Sequence, residues 1–459
     1  MPFLPHGRAE PPGSRTAPGY RRWAQHLPLV LIALLAVTFT VVAWSIRFLV
    51  DDSLINFRFS ANLATGYGPV FNAGERVEGY TTPLWILVMG LFAWLGASLP
   101  DAAHAIGIAC GVASMVVAAR FVARRSGWWC GGLAALLVAA CPGMLFWTAS
   151  GMETAPFALT VLLAFVATAG PSAPPTCGLL SGIMALTRPE GMLLAALLDL
   201  ATFLERGVGA AVSFGAGFLV LFLPAEMFRI AYFGYPLPNT YYLKADVHTL
   251  HGLWYLRQFV ADGGWIYALG AFALARRERR TAAVWLLSTL AYLGYVALIG
   301  GDFFAFHRFV VPVVPLLAVL AALGAGELAR ADVRANAAVA LGLFGLWLAS
   351  LVPSYAYMER AARQTDAFSQ QLEERGRLLK LLPPGTVLAM SAIGGVPFGA
   401  GIALTVIDML GKTDEHIAHH GLHVPDGLPA HSRYDNDYLL ARRPDLILPA
   451  APMALPPGP

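Results

Sequence analysis

Apolar and polar positions in this chain alternate on the scale of whole segments. Long apolar runs lie at 27–49, 83–99, 102–122, 127–147, 153–170, 176–187, 190–204, 208–228, 253–275, 282–299, 309–328 and 336–353, with short polar breaks between them. Repeated apolar runs of roughly 15–22 residues predict transmembrane helices. After Pro353 the texture changes. Residues 354–380 are charged and read as a helix, which Pro383-Pro384-Gly385 breaks. Thr386–Met390 and Leu404–Ile407 read as short buried strands, and Tyr434–Leu448 as a helix followed by another strand-like run. The expected fold is an all-α polytopic membrane protein over 27–353, with a small extracytoplasmic α/β domain at 354–459. Residues 1–26, rich in Pro, Gly and Arg, read as a disordered cytoplasmic tail. The run at 27–50 is too long for a signal-peptide core and is expected to stay as the first helix.

Composition agrees with this class. The chain has 459 residues, 57% hydrophobic and 13% charged, and a mean hydropathy of +0.61. A soluble domain carries about 25% charge. The net charge of +3 is too small and too dispersed to suggest a nucleic-acid partner. Cys110, Cys130, Cys141 and Cys177 fall in or beside apolar segments without a CxxC pair, as buried small hydrophobes do.

The arginines orient the segments. Arg21 and Arg22 put the N-terminus inside, and Arg276-Arg277-Glu278-Arg279-Arg280 is the strongest inside marker. The stretch 50–82, the loops 229–252 and 300–308, and the C-terminal residues then fall outside. That arrangement needs an odd number of crossings, about eleven, with one of the twelve runs not spanning.

The outer segments collect the polar residues. Asp51 and Asp52 follow the first apolar run and open a loop, 50–82, that also carries Arg58, Glu78 and Tyr80. A carboxylate at a helix exit suits a general base that meets a lipid-linked donor at the membrane surface. Two acidic residues also simply mark a non-cytoplasmic helix end, and spacing does not separate these readings. Glu153 stands at the mouth of a helix, where it also suits the N-terminal dipole. Arg188 and Glu190 flank Pro189 between two short apolar runs; such charges need a polar cavity, an outer surface or each other. Asn239 and Lys244 lie in an aromatic-rich loop able to hold a phosphate or sugar, although tyrosines there also form interfacial belts. Asp302 and Arg308 form a possible ion pair beside a donor phosphate. His416, His419, His420 and His423 lack a carboxylate or cysteine at ligand spacing, so no metal site is assigned. A divalent cation at the acidic pair stays open, and no other cofactor is implied. No Walker loop, GxGxxG or GxSxG motif is present, against use of ATP or a nicotinamide and against an α/β-hydrolase.

Several stretches together resemble a family. They are Asp51-Asp-Ser-Leu-Ile-Asn-Phe-Arg58, Phe71-Asn-Ala-Gly-Glu-Arg-Val-Glu-Gly-Tyr80, Ser150-Gly-Met-Glu-Thr154, Arg188-Pro-Glu-Gly191, Pro238-Asn-Thr-Tyr-Tyr-Leu-Lys244, Asp302 to Phe309, Val406 to His416 and Tyr434 to Tyr438. In this order they resemble terminal β-(1→2)-arabinofuranosyltransferases of the mycobacterial cell-wall type. The resemblance implies a GT-C-type fold and a catalytic acidic residue in the first outer loop. It also implies a polyprenyl-phosphate sugar donor and transfer of arabinofuranose to a cell-envelope glycan or protein, on the outer face of the cytoplasmic membrane. On this reading Asp51, slightly ahead of Asp52, is the catalytic carboxylate. Arg58, Lys244 and Arg308 hold the donor phosphate. Glu78, Tyr80, Glu153, Arg188, Glu190, Asn239 and Asp302 complete the substrate site. The alternatives are a transporter or flippase of lipid-linked sugars, which predicts charges at mid-membrane and repeated halves, and a non-catalytic scaffold, which leaves the acidic pair unexplained.

Overall fold

The computed structural model describes residues 18–243, 249–275, 279–331, 333–423 and 433–448. Most of these are helical. Five helices are long and apolar enough to cross a membrane: His26–Ser45, Leu99–Ser126, Val208–Phe233, Arg279–Leu298 and Val311–Arg330. The bent pair Trp128–Ala139 and Pro142–Thr148 makes a sixth if it counts as one span. The chain is thus a multi-pass membrane protein. Pro174–Thr187 and Gly191–Arg206, with 14 and 16 residues, reach ~21–24 Å at ~1.5 Å per residue. That is shorter than a ~30 Å hydrocarbon core. Burial sorts the long helices: 83% of the Val311–Arg330 window is enclosed, against 11% for Val208–Phe233. The first is a central post, and the second turns Val212, Val220, Leu223 and Met227 outward.

Four sequence expectations change. The run 127–147 is bent by 63° where Pro142 starts a new helix, because proline cannot continue the hydrogen-bond ladder of the helix before it. The run 253–275 is divided at Gly263, whose φ of 99° ends Thr249–Ala261 before the 3-10 helix Gly264–Ala275. Conversely, 336–353 and 354–380 form one 47-residue helix, Val333–Leu379, that passes through Pro353. Apolar packing of Trp347, Leu351, Met358, Ala361 and Ala362 on both sides of the proline outweighs one lost backbone hydrogen bond. Finally, the expected loop 50–82 begins as a helix. Residues 1–17 of the expected tail lie outside the described residues, and the first helix α1 already begins at Pro18 (Pro18–Ser45).

The second helix, α2 (Asp51–Ala64), is buried on most sides through Leu54, Ile55, Phe57, Arg58 and Phe59. Asp51 and Asp52 occupy its first turn, where negative charge favours the positive end of the helix dipole. The link from α1 is pinned by the long helix: the Leu49 N–H donates to Asp366 Oδ1 at 3.0 Å, and Ser369 Oγ donates to the Leu49 carbonyl at 2.8 Å.

The C-terminal strands form a parallel sheet in the order β2 (Thr405–Asp408), β1 (Val387–Met390), then Leu446–Leu448. One face of this sheet shares an apolar cluster with the stretch 50–82. Ile55, Phe59, Phe71 and Tyr80 pack with Leu388, Met390, Val396, Leu404 and Val406. Polar contacts fix the register of that joint. Asn72 Nδ2 donates to the Val406 carbonyl at 2.7 Å and its Oδ1 accepts the Val406 N–H at 3.0 Å, as a neighbouring strand would.

Arg58 is the bolt of this joint. Its Nε donates to the Phe71 carbonyl at 2.8 Å, Nη1 to the carbonyls of Gly401 at 2.9 Å and Pro397, and Nη2 to the Leu404 carbonyl at 3.1 Å. The expectation that Arg58 holds a donor phosphate is therefore not carried forward: its donors are spent on the chain's own carbonyls. Arg58→Leu strands four carbonyl acceptors, three of them in buried hydrogen bonds, at about 1–3 kcal/mol for each buried one. We expect a lower thermal midpoint in detergent and faster proteolysis beyond residue 380. A variant as stable and protease-resistant as the wild type contradicts this role.

Candidate active site

The adjacent aspartates have different partners. Successive residues on a helix point about 100° apart, so Asp51 and Asp52 face different neighbours. Asp51 accepts the backbone N–H groups of Gly394 at 3.1 Å and Gly395 at 2.7 Å, at the start of the helix Gly395–Ala400. Burial pushes its carboxyl up to about 6; the Gly395 N–H opposes the rise and Asp52 adds to it. Asp52 keeps 26% of its side chain exposed and meets two cations: Lys412 Nζ lies 2.5 Å from Oδ1, and Arg308 Nη1 lies 3.7 Å from Oδ2. A carboxylate that is reachable and flanked by cations is better placed for proton transfer beside a charged donor than one spent on a helix end. Asp51, expected slightly ahead of Asp52, is thus the one held by backbone N–H groups.

Arg308 arrives from a strained loop. Phe306 and His307 have φ values of 61° and 55°, a region costly for residues with a Cβ and found where surrounding contacts over-determine the backbone. Those contacts are present: Trp147 Nε1 donates to the Ala305 carbonyl at 3.1 Å, and the Phe309 N–H donates to the Tyr255 hydroxyl at 3.0 Å. Arg308 Nε lies 2.6 Å from Asp302 Oδ2, with the N–H pointing off the line, so the pair is ionic rather than a straight hydrogen bond. Asp302 Oδ1 accepts the Phe303 N–H at 2.8 Å. The expected Asp302–Arg308 pair is therefore present, and it connects to Asp52.

A second charge group lies beside it. Arg188 donates through Nη1 to Glu153 Oε1 at 2.5 Å, and through Nη2 and Nε to both oxygens of Glu190 at 2.7 and 3.1 Å. Arg188 and Arg308 lie 5.3 and 5.2 Å from the centre of the Phe309 ring, so the two groups share a wall. Glu153 Oε2 is buried without a hydrogen-bond partner, as is the Tyr292 hydroxyl. Orphaned buried polar atoms in a native fold ask for a ligand, ion or water.

The other expected residues within the described chain have partners inside the protein. Glu78 pairs with Arg229 at 2.7 Å; burial pushes its carboxyl up to about 7 against that arginine. Tyr80 is buried edge-on to Phe59 and Phe233. Asn239 Nδ2 donates to the carbonyls of Gly411 at 2.8 Å, Lys412 at 3.1 Å and Asp414 at 3.2 Å. It holds the loop around Lys412. Lys244 lies outside the described residues. Lys412 was missed by sequence reasoning. Its signal is faint: it is one of three lysines in the chain and the one that stands between nearby aspartates, Asp408 and Asp414.

Among the described residues no three His, Cys, Asp or Glu side chains converge as metal ligands. Among the described residues, Asp52 lies against Lys412 and Arg308. A cavity of about 20 Å³ lined by Phe259, Asp262, Tyr267, His307 and Trp347 lies beside the Arg308 loop without reaching Asp52, and has room for about one water.

Residues 360–454 match a family described as a domain of unknown function, DUF8728. The chain is 26% identical over 346 residues to the terminal β-(1→2)-arabinofuranosyltransferase of Corynebacterium glutamicum, covering 62% of this chain and 50% of the relative. It is 40% identical over 68 residues to the enzyme of the same name from Mycobacterium tuberculosis, covering 15% of this chain and 11% of that protein. The chain thus spans half or less of the length of these curated relatives. Among solved structures, apo ArnT from Cupriavidus metallidurans matches with a TM-score of 0.60 at 15% identity, over 92% of this chain and 90% of that one. ArnT bound to undecaprenyl phosphate matches at 0.60 and 15%, over 84% and 86%. The apo Archaeoglobus fulgidus oligosaccharyltransferase matches at 0.56 and 13%, over 85% and 65%. The chain resembles the terminal β-(1→2)-arabinofuranosyltransferases in sequence and shares the GT-C fold of ArnT and the archaeal oligosaccharyltransferase.

Proposed function

We propose that this chain is a membrane glycosyltransferase that moves arabinofuranose from a polyprenyl-phosphate donor to a cell-envelope glycan or protein. It works at the outer face of the cytoplasmic membrane, with about eleven crossings and the C-terminal residues outside. The observation that carries the reading is Asp52, part-exposed at the N-terminus of α2 and flanked by Arg308 and Lys412. In the reaction the Asp52 carboxylate takes the proton of an acceptor hydroxyl. That oxygen forms the new bond to the anomeric carbon as the bond from that carbon to the phosphate oxygen breaks. Polyprenyl phosphate leaves with the electron pair, and Arg308 neutralises its charge. The sugar hydroxyls lie against the Glu153–Arg188–Glu190 group, where Glu153 Oε2 still lacks a partner. The contact of both arginines with Phe309 supports one compact site over the spread of charge a transport path would need.

The test uses membranes or purified full chain with a lipid-linked arabinofuranose donor. Asp52→Asn is expected to lower kcat at least ~10²-fold, the usual worth of a positioned acid–base group, with the thermal midpoint little changed. Asp51→Asn weakens the Gly394–Gly395 turn and is expected to lower the midpoint while keeping most of the turnover. Wild-type rates in Asp52→Asn overturn the assignment. For Arg308→Lys we expect kcat to fall about tenfold or more, because an ammonium cannot span Asp302 and the departing phosphate as a planar guanidinium does; an unchanged kcat speaks against its role.

A further inference from the structure

We propose that the C-terminal segment of unknown function supplies a positioning residue to the membrane site: Lys412 holds the Asp52 carboxylate in the orientation in which it takes the acceptor proton. The inference rests on the glycosyl-transfer reading and extends it to a part of the chain to which no role has been given.

The loop that carries Lys412 is built from two sides. From within, the Asp408 carboxylate accepts the N–H groups of Leu410 at 2.9 Å and Thr413 at 2.8 Å, and the Thr413 hydroxyl at 3.4 Å. From outside, the Asn239 amide gathers three consecutive-turn carbonyls, those of Gly411, Lys412 and Asp414. Gly411 stands at φ +83°, and a Cβ there would meet the Ala418 nitrogen at 2.9 Å, so the turn admits only glycine. A lysine on an ordinary surface samples many rotamers. This one starts from a fixed backbone and has 16% of its side chain exposed.

Its charge is not needed to dock the tail. Arg58, Asn72, Asp51 and the apolar cluster already do that. A buried ion pair is on average no better for stability than a well-packed apolar pair. What the pair does achieve is orientation, since Lys412 takes Oδ1 of Asp52 and Arg308 approaches Oδ2. The facing groups are Asp52, Asp408 and Asp51 around Lys412, and Asp302, Asp52, Arg188 and Glu153 around Arg308. Burial pulls the Lys412 ammonium down, but Asp52, Asp408 and Asp51 outweigh it and hold it above its ordinary value. It stays a cation throughout the working range.

The experiment compares full-chain wild type, Lys412→Met and Lys412→Arg in the lipid-linked arabinofuranose assay across pH 4 to 9. We expect Lys412→Met to lose about 10²-fold in kcat with KM for the donor changed much less. The acidic limb of its kcat/KM profile should move up by about one pH unit or more, as follows when a cation within ~4 Å of a carboxylate is removed. Lys412→Arg should recover most of the rate and restore the limb. A thermal double-mutant cycle of Lys412→Met with Asp52→Asn, which needs no turnover, should show coupling between the two sites. An unmoved limb in an active Lys412→Met, or a purely additive cycle, overturns the inference and leaves the glycosyl-transfer reading standing. Absence of wild-type turnover on the donor overturns both.

Discussion

Among the described residues, one carboxylate is held by two cations that reach it from distant parts of the chain. Asp52 stands at the start of α2, Arg308 comes from a strained loop leading into the central post, and Lys412 comes from the C-terminal segment. A charge at the edge of an apolar bundle needs partners. Supplying them from two elements means that both must be seated before the site exists. Much of the fold around this end of the bundle serves that seating.

The seating uses groups that look functional one at a time. Asp51 fixes the turn at Gly394 and Gly395, Arg58 ties α2 to the carbonyls between Pro397 and Leu404, and Asn72 pairs with the backbone of β2. Asn239 then holds the loop that begins where β2 ends. The polar residues at this end of the bundle thus divide into an inner set around Asp52 and Phe309 and a surrounding set that holds the C-terminal sheet in register. Preorganisation of this kind lets a carboxylate act without first rearranging its neighbours.

The helical, membrane-spanning class was legible because it depends on run length and composition, which are local. The β1 and β2 strands were legible for the same reason, as short apolar runs between glycines. Breaks were less so. Pro142 ends one helix while Pro353 leaves another intact, and the difference lies in what packs on either side. Residue type announced that Asp51, Asp52 and Arg58 matter, yet it did not say how. Arg58 donates to the carbonyls of Pro397, Gly401 and Leu404, brought from more than 300 positions away, which no spacing rule reveals. Lys412 gave only a faint signal for the converse reason. Its partner Asp52 lies 360 positions earlier, and the loop holding it is defined by backbone carbonyls, which every sequence has.

The most direct measurement is a structure of the full chain with a non-hydrolysable polyprenyl-phosphate arabinofuranose analogue. The account predicts the phosphate within hydrogen-bond reach of the Arg308 guanidinium, the anomeric carbon facing Asp52, and Lys412 still on Oδ1 of that carboxylate. An analogue seated elsewhere, with its phosphate away from Arg308 and Asp52 closed off from the sugar, contradicts it.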